Sequence, residues 1–173
     1  MLYNLWKSLK KYRKKEGVYL VVTALNVANN FIKRAIEEKE SLSPMKLQKL
    51  LYFLYAVFYT KTGLQLFSER FATWKYGPVI DTVYQKFRDF GSSSINKYCM
   101  NDGIITSVNE EHDIFRQLID MVWCKFKEKS GIELSKITHE EWTAWYKAYV
   151  EHEPFLNDSD ILKDGEILIN GRG

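Results

Sequence analysis

Between Ser43 and Gly63 the apolar positions recur at helical spacing on almost every side. Leu47, Leu50, Leu51, Leu54, Val57 and Phe58 form one set, and Phe53, Ala56 and tyrosines 52, 55 and 59 cover most of the remaining circumference. Ser43 supplies an N-cap hydroxyl, and Pro44 fits the first helical position, where a missing N–H costs nothing. Gly63 suits the position just past the end. A helix apolar nearly all round must be enclosed by other elements, so the pattern predicts a central core helix. It is too short and too rich in tyrosine to span a bilayer.

The rest of the pattern arranges itself around that helix. Leu2, Leu5, Trp6, Leu9 and Tyr12 share one face with lysines opposite, which predicts a basic amphipathic helix over residues 1–17. Such a helix can dock on the body, lie on an anionic membrane or engage a partner, and docking carries the most weight. Residues 18–173 then form one domain. Thr23 is placed to cap a helix with Ala24, Val27, Ala28, Phe31, Ile32 and Ala35 as its stripe. Phe71 to Tyr76 reads as an extended stretch closed by Gly77-Pro78, with Pro78 starting a helix that buries Val79, Ile80, Val83, Tyr84, Phe87 and Phe90. Asn101-Asp102-Gly103 predicts a hairpin turn. Asn109 is placed to cap a helix with core residues Phe115, Leu118, Ile119, Val122 and Phe126, stopped by Gly131. Thr138-His139-Glu140-Glu141 has the spacing of a capping box ahead of an aromatic helix with Trp142, Trp145, Tyr146 and Tyr149. The tail fits a short helix or a hairpin. The expected fold class is mainly α, a single globular helical domain around a buried central helix, with a small β-hairpin or short strands.

Composition adds limits. The 173 residues, 46% hydrophobic and 27% charged, are ordinary for one globular domain. Aromatics at 15% are rich, which favours a packed core with some aromatic surface left for recognition. The net charge of +3 is uneven: six basic residues against Glu16 put +5 in the first 17 residues and leave the rest at −2. Nucleic-acid binding by the body is therefore not expected. Cys99 and Cys124 make no metal pattern, and buried reduced thiols in a cytoplasmic protein are the expectation.

Candidate chemistry is sparse. The histidines, His112, His139 and His152, have no metal-ligand spacing, and no phosphate-binding, dinucleotide or nucleophile-elbow motif occurs, so neither metal nor cofactor is expected. His139 with Glu141 is the one acid–base pair the sequence offers, and a helix-start role accounts for both residues without catalysis. Lys46 and Lys49 fall in the first turns of the core helix, where the macrodipole disfavours cations. They read as solvated lysines whose stems cover apolar surface, or as a basic spot that meets an acidic partner. The Trp74-Lys75-Tyr76-Gly77-Pro78 stretch reads as a packed turn or as an aromatic anchor for a partner.

Four stretches in order are more specific than any of these alone. Ser43-Pro-Met-Lys-Leu-Gln-Lys-Leu-Leu-Tyr52, Ala72-Thr-Trp-Lys-Tyr-Gly-Pro-Val79, Val83-Tyr-Gln-Lys-Phe87 and Gly131-Ile-Glu-Leu-Ser-Lys-Ile-Thr-His139, followed by Trp145, resemble the Panacea domain of SocA-like (GepA-like) antitoxins of bacteria and prophages. The likeness runs from about Thr23 to about Tyr149. It implies an antitoxin that neutralises a cognate protein toxin by direct binding, with some members delivering the toxin to a protease as adaptors. No catalytic residues come with it. Where the family pattern has Ser-Pro before the tryptophan, this chain has Thr143-Ala144. Partner-binding residues expected on these grounds are Trp6, Lys46, Lys49, Trp74, Lys75, Tyr76, Pro78, His139 and Trp145. Two other readings stay open: a phage- or prophage-encoded interaction protein without a toxin, and an enzyme using His139 and Glu141.

Overall fold

The computed structural model describes residues 22–111 and 113–171. The basic helix expected over residues 1–17, Trp6 within it, most of the Val18–Val22 run and His112 lie outside the described residues. Among the described residues, seven α-helices and two small antiparallel strand pairs make a mainly α domain with a minor β component.

Helix α1 (Ala24–Glu38) opens at Thr23 with a capping box: the Thr23 hydroxyl accepts from Asn26 N, and the Asn26 side chain accepts from Thr23 N at 3.0 Å. Helix α2 (Pro44–Thr62) is capped by Ser43, carries Pro44 at its start and ends at Gly63, as its sequence predicts. Every residue from Lys46 to Phe58 is buried. Strands β1 (Ala72–Trp74) and β2 (Gly77–Val79) pair antiparallel, with Thr73 opposite Pro78. Helix α3 (Asp81–Phe87) follows and runs into a 3-10 turn, Arg88–Phe90. Strands β3 (Met100–Asn101) and β4 (Ile104–Ile105) form the hairpin that Asp102-Gly103 predicts. Helices α4 (Asp113–Phe126), α5 (Gly131–Thr138), α6 (Ala144–Val150) and α7 (Asp158–Asn170) complete the order.

The core is the surface of α2 met by α1, α4, α5 and α7. Phe53 stacks on Phe126 at 4.6 Å, and Phe71 stands edge-on to Tyr52 and Tyr55 at 5.3 and 5.4 Å. Each large side chain so enclosed contributes about 1.5–3 kcal/mol of transfer free energy. One polar contact sits inside this packing. The Tyr52 hydroxyl donates to the Asp164 carboxylate, which also accepts Ala144 N at 3.0 Å. Burial pushes the Asp164 carboxyl up to about 7 and the Tyr52 phenol well above its ordinary value.

Several expectations are corrected. Pro78 does not start a helix. It lies in β2, and α3 begins at Asp81. Thr73 N turns away from β2 to Pro154 O at 3.0 Å, which makes Thr73–Pro78 the pair without mutual ladder bonds. The missing N–H of Pro78 then costs nothing there. Gly131 does not stop α4, which ends at Phe126; it begins α5 behind a capping box of Ser130 and Glu133. Thr138-His139-Glu140-Glu141 is no capping box, because Thr138 is the last residue of α5 and its hydroxyl donates back to Ser135 O. Thr143 caps α6 instead, so Trp142 precedes that helix. Asn109 accepts from Glu111 N in a turn, while α4 begins at Asp113. Cys124 is exposed rather than buried. The tail is helical, with Asn157 accepting from Ser159 N at the start of α7.

Candidate partner-binding face

The β1–β2 hairpin lies against the first half of α2 and the end of α5, and its backbone is tied down by side chains from three helices. Gln48 Nε2 donates to Ile80 O at 3.1 Å while its Oε1 accepts Ile80 N at 2.8 Å. Lys49 Nζ donates to Pro78 O at 3.1 Å. Ser135 Oγ donates to Tyr76 O at 2.9 Å, and Trp145 Nε1 donates to Trp74 O at 2.9 Å. His139 faces Lys75 O through Nε2 at 3.1 Å and Ser135 O through Nδ1 at 2.6 Å. The carbonyls at 74, 75, 76, 78 and 80 thus each meet a side-chain donor group. A net gain near 1 kcal/mol per satisfied bond, and more for a bond otherwise left empty on burial, holds an otherwise marginal two-strand unit in one place.

The side chains at the tip point the other way. Trp74 is 38% and Tyr76 60% exposed, and Lys75 is exposed with its ammonium 5.5 Å from the Tyr76 ring. Trp74 is braced edge-on by Tyr84 at 4.8 Å. The aromatic surface continues beyond the tip. Trp145 is buried, contacts the edge of His139 at 3.9 Å, and stacks with the exposed Tyr149 at 4.7 Å. Phe155, also exposed, bridges to Ala72 on the free side of β1.

Of the residues expected from sequence, Lys49, Trp74, Lys75, Tyr76, Pro78, His139 and Trp145 are brought together here. Trp74, Lys75 and Tyr76 face solvent, His139 is half-buried, and Pro78 and Trp145 are interior. The reading of Lys46 and Lys49 as solvated lysines is overturned, since they are 4% and 1% exposed. Helix α2 is enclosed on all sides, so its first turns have no open face. Lys46 stands apart from the hairpin and donates to Ser41 O and Lys127 O. Burial lowers the basicity of both amines, that of Lys49 to about 7. Sequence reasoning passed over Gln48 and Ser135. A glutamine in the middle of an all-round apolar helix was the available signal, because a buried amide must find partners.

The Thr143-Ala144 departure also has a local account. Thr143 accepts from Tyr146 N as the N-cap, and Ala144 supplies the N–H that Asp164 accepts, which a proline there would lack. The start of α6, and Trp145 with it, is thereby fastened to α7.

The family model described as Antitoxin SocA-like, Panacea domain, matches residues 47–146, a span that contains all five hairpin-binding side chains. Antitoxin SocA of Caulobacter vibrioides (strain NA1000 / CB15N) is 32% identical over 130 residues, covering 72% of this chain and 69% of that protein. No solved structure matches significantly. Among the described residues no helix is long and apolar enough to cross a membrane. The ordered motifs, the matched span and this relative agree, and the chain belongs to the SocA-like antitoxin family, the Panacea domain.

Proposed function

We propose that the chain is a cytoplasmic antitoxin that neutralises a cognate protein toxin by direct binding, and that the toxin docks on the face carrying Trp74, Lys75 and Tyr76. The observation behind this reading is that two exposed aromatic side chains stand on a backbone fixed at successive carbonyls. Tryptophan and tyrosine dominate interface hot spots, and side chains already held in place lose little entropy on binding. Tyr149 and Phe155 extend the same face. Lys49, Pro78 and Trp145 act from beneath by holding it, and Lys46 takes no part.

Binding rather than catalysis fits His139. Both its ring nitrogens lie against backbone carbonyl oxygens of the protein itself, Lys75 O and Ser135 O, a placement that serves to position the hairpin tip. The test is co-expression with the protein encoded beside it. Growth rescue together with co-purification of the two proteins is expected. An innocuous neighbour, or rescue without a complex, would overturn the reading. The half-life of the toxin in the rescued cells separates simple occlusion from delivery to a protease.

A further inference from the structure

Lys49 is an amine in an unusual position. It is 1% exposed, sits at the foot of the β1–β2 hairpin and donates to Pro78 O at 3.1 Å. Gly77, at φ 103, leaves it room: a Cβ there would fall 2.7 Å from Lys49 Nζ and 2.6 Å from Thr138 Oγ1. The Thr138 hydroxyl spends its proton on Ser135 O, so it offers an acceptor beside the amine but no charge.

The titratable groups on the surrounding elements leave Lys49 uncompensated. On the hairpin, Lys75 and Tyr76 are exposed. On α5, Glu133 is bound to Ser130 N, Lys136 is exposed, and His139 faces the Lys75 and Ser135 carbonyls. On α2, Lys46 is engaged with Ser41 and Lys127 carbonyls, and Tyr52 with Asp164. Loss of solvation is the one influence that moves Lys49. A buried cation without a counter-charge is costly.

We propose that Lys49 is a proton-operated clasp: the neutral amine holds the β1–β2 hairpin on the body, and uptake of a proton by that amine releases it. The consequence for toxin affinity rests on the reading of this hairpin as the docking face, whereas the clasp itself needs no partner. The direction follows from linkage. Within the closed hairpin Lys49 titrates at about 7, and an opened hairpin returns it towards the ordinary 10.5. Between those values opening takes up a proton. The closed hairpin is therefore favoured most at alkaline pH, loses ground as pH falls towards 7, and levels off below. The linked change is up to about tenfold in the opening equilibrium per pH unit in that window.

Amide hydrogen exchange on the full chain at pH 9 and pH 7, corrected for intrinsic exchange rates, tests this directly, with the Lys49 ε-carbon NMR signal followed in parallel. Local exchange is the readout because Asp164 also titrates near 7 and affects global stability. Protection at Gly77 and Val79 is expected to fall up to about a hundredfold between the two pH values. Ile104 in the other hairpin, paired with Asn101 across its turn, stays level, and Lys49→Met removes the pH dependence. Unchanged protection in the wild type, the same dependence in Lys49→Met, or a lysine signal titrating near 10.5 in the folded protein would overturn the proposal. A dependence that persists in Lys49→Met but vanishes in His139→Gln would assign it to the histidine and equally overturn it. Should Lys49→Met fail to fold, the two wild-type measurements decide. Because no partner is used, failure here leaves the docking proposal standing.

Discussion

The described residues form two hairpins of similar size, and they are secured in different ways. The β1–β2 hairpin is bound along its length, tip included, by Gln48, Lys49, Ser135, His139 and Trp145. The β3–β4 hairpin is bound mainly at its flanks, by asparagines of α1, with one long bond to its strands from the exposed Lys86 Nζ to Met100 O at 3.4 Å. Asn29 donates to Cys99 O and Thr106 O and accepts Cys99 N, while Asn30 exchanges a pair of bonds with Val108. Its strands stand clear of the body, with Met100, Ile104 and Ile105 exposed. One hairpin presents fixed aromatic rings and the other aliphatic side chains on a freer ribbon. On the docking proposal, backbone restraint at the tip, rather than exposed apolar area, is what sets the first hairpin apart.

Substitutions at the two turn glycines should break this comparison most sharply if it is wrong. Gly77→Ala combines a positive φ with a Cβ placed against Lys49 and Thr138, and is expected to cost about 3–5 kcal/mol in chemical denaturation. Gly103→Ala also sits at positive φ, but nothing lies within 4 Å of its Cβ, so strain alone should cost about 1 kcal/mol. Equal losses would mean that the first hairpin is no more tightly seated than the second.

Asn29→Ala lies between these. It strands Cys99 N and two carbonyls at the base of β3–β4, and a loss of about 2–4 kcal/mol is expected, with raised exchange at Cys99 and Val108 but not at Gly77. Spread of that exchange into the first hairpin would show that the two units are coupled. Ala144→Pro should cost less, about 1–2 kcal/mol, by removing the N–H that Asp164 accepts. Its effect should appear as reduced ordering of Trp145 in near-ultraviolet dichroism, and an unaltered melting temperature would count against the role given to that bond.

The same contrast explains what was legible in the sequence. Asp102-Gly103 carries its own instruction, since both residues take positive φ, at 51° and 79°, as a tight primed turn requires. The core helix was equally readable, because Ser43, Pro44, Gly63 and the all-round apolar pattern are local signals. The first hairpin was not. Lys75-Tyr76 places no turn-forming residue at the two central positions, with Gly77 only after them, and Pro78 suits a helix start as well as a strand position whose N–H would point away from the ladder. What decides between them are donors at Lys49, Ser135 and Trp145, remote in sequence. The motif residues of the face were singled out as a group, but their division into exposed anchors and buried holders depends on those long-range bonds. Lys46 and Lys49 show the limit most plainly, for nothing near them in sequence announces that carbonyls of Lys127 and Pro78 await them.

The proposed docking face is tested most directly by comparing the two hairpins in binding. Calorimetric binding of the co-encoded toxin should be measured for Trp74→Ala with Tyr76→Ala, and for Ile104→Ser with Ile105→Ser, alongside melting of each protein. Two hot-spot aromatics at about 2 kcal/mol each predict an affinity loss approaching a thousandfold for the first pair, with the fold retained. The second pair should bind within about twofold of the unaltered protein, inside the roughly ±0.5 kcal/mol usual for surface changes. Undiminished binding by the folded Trp74/Tyr76 variant, or a greater loss in the Ile104/Ile105 variant, would contradict the assignment of the docking face.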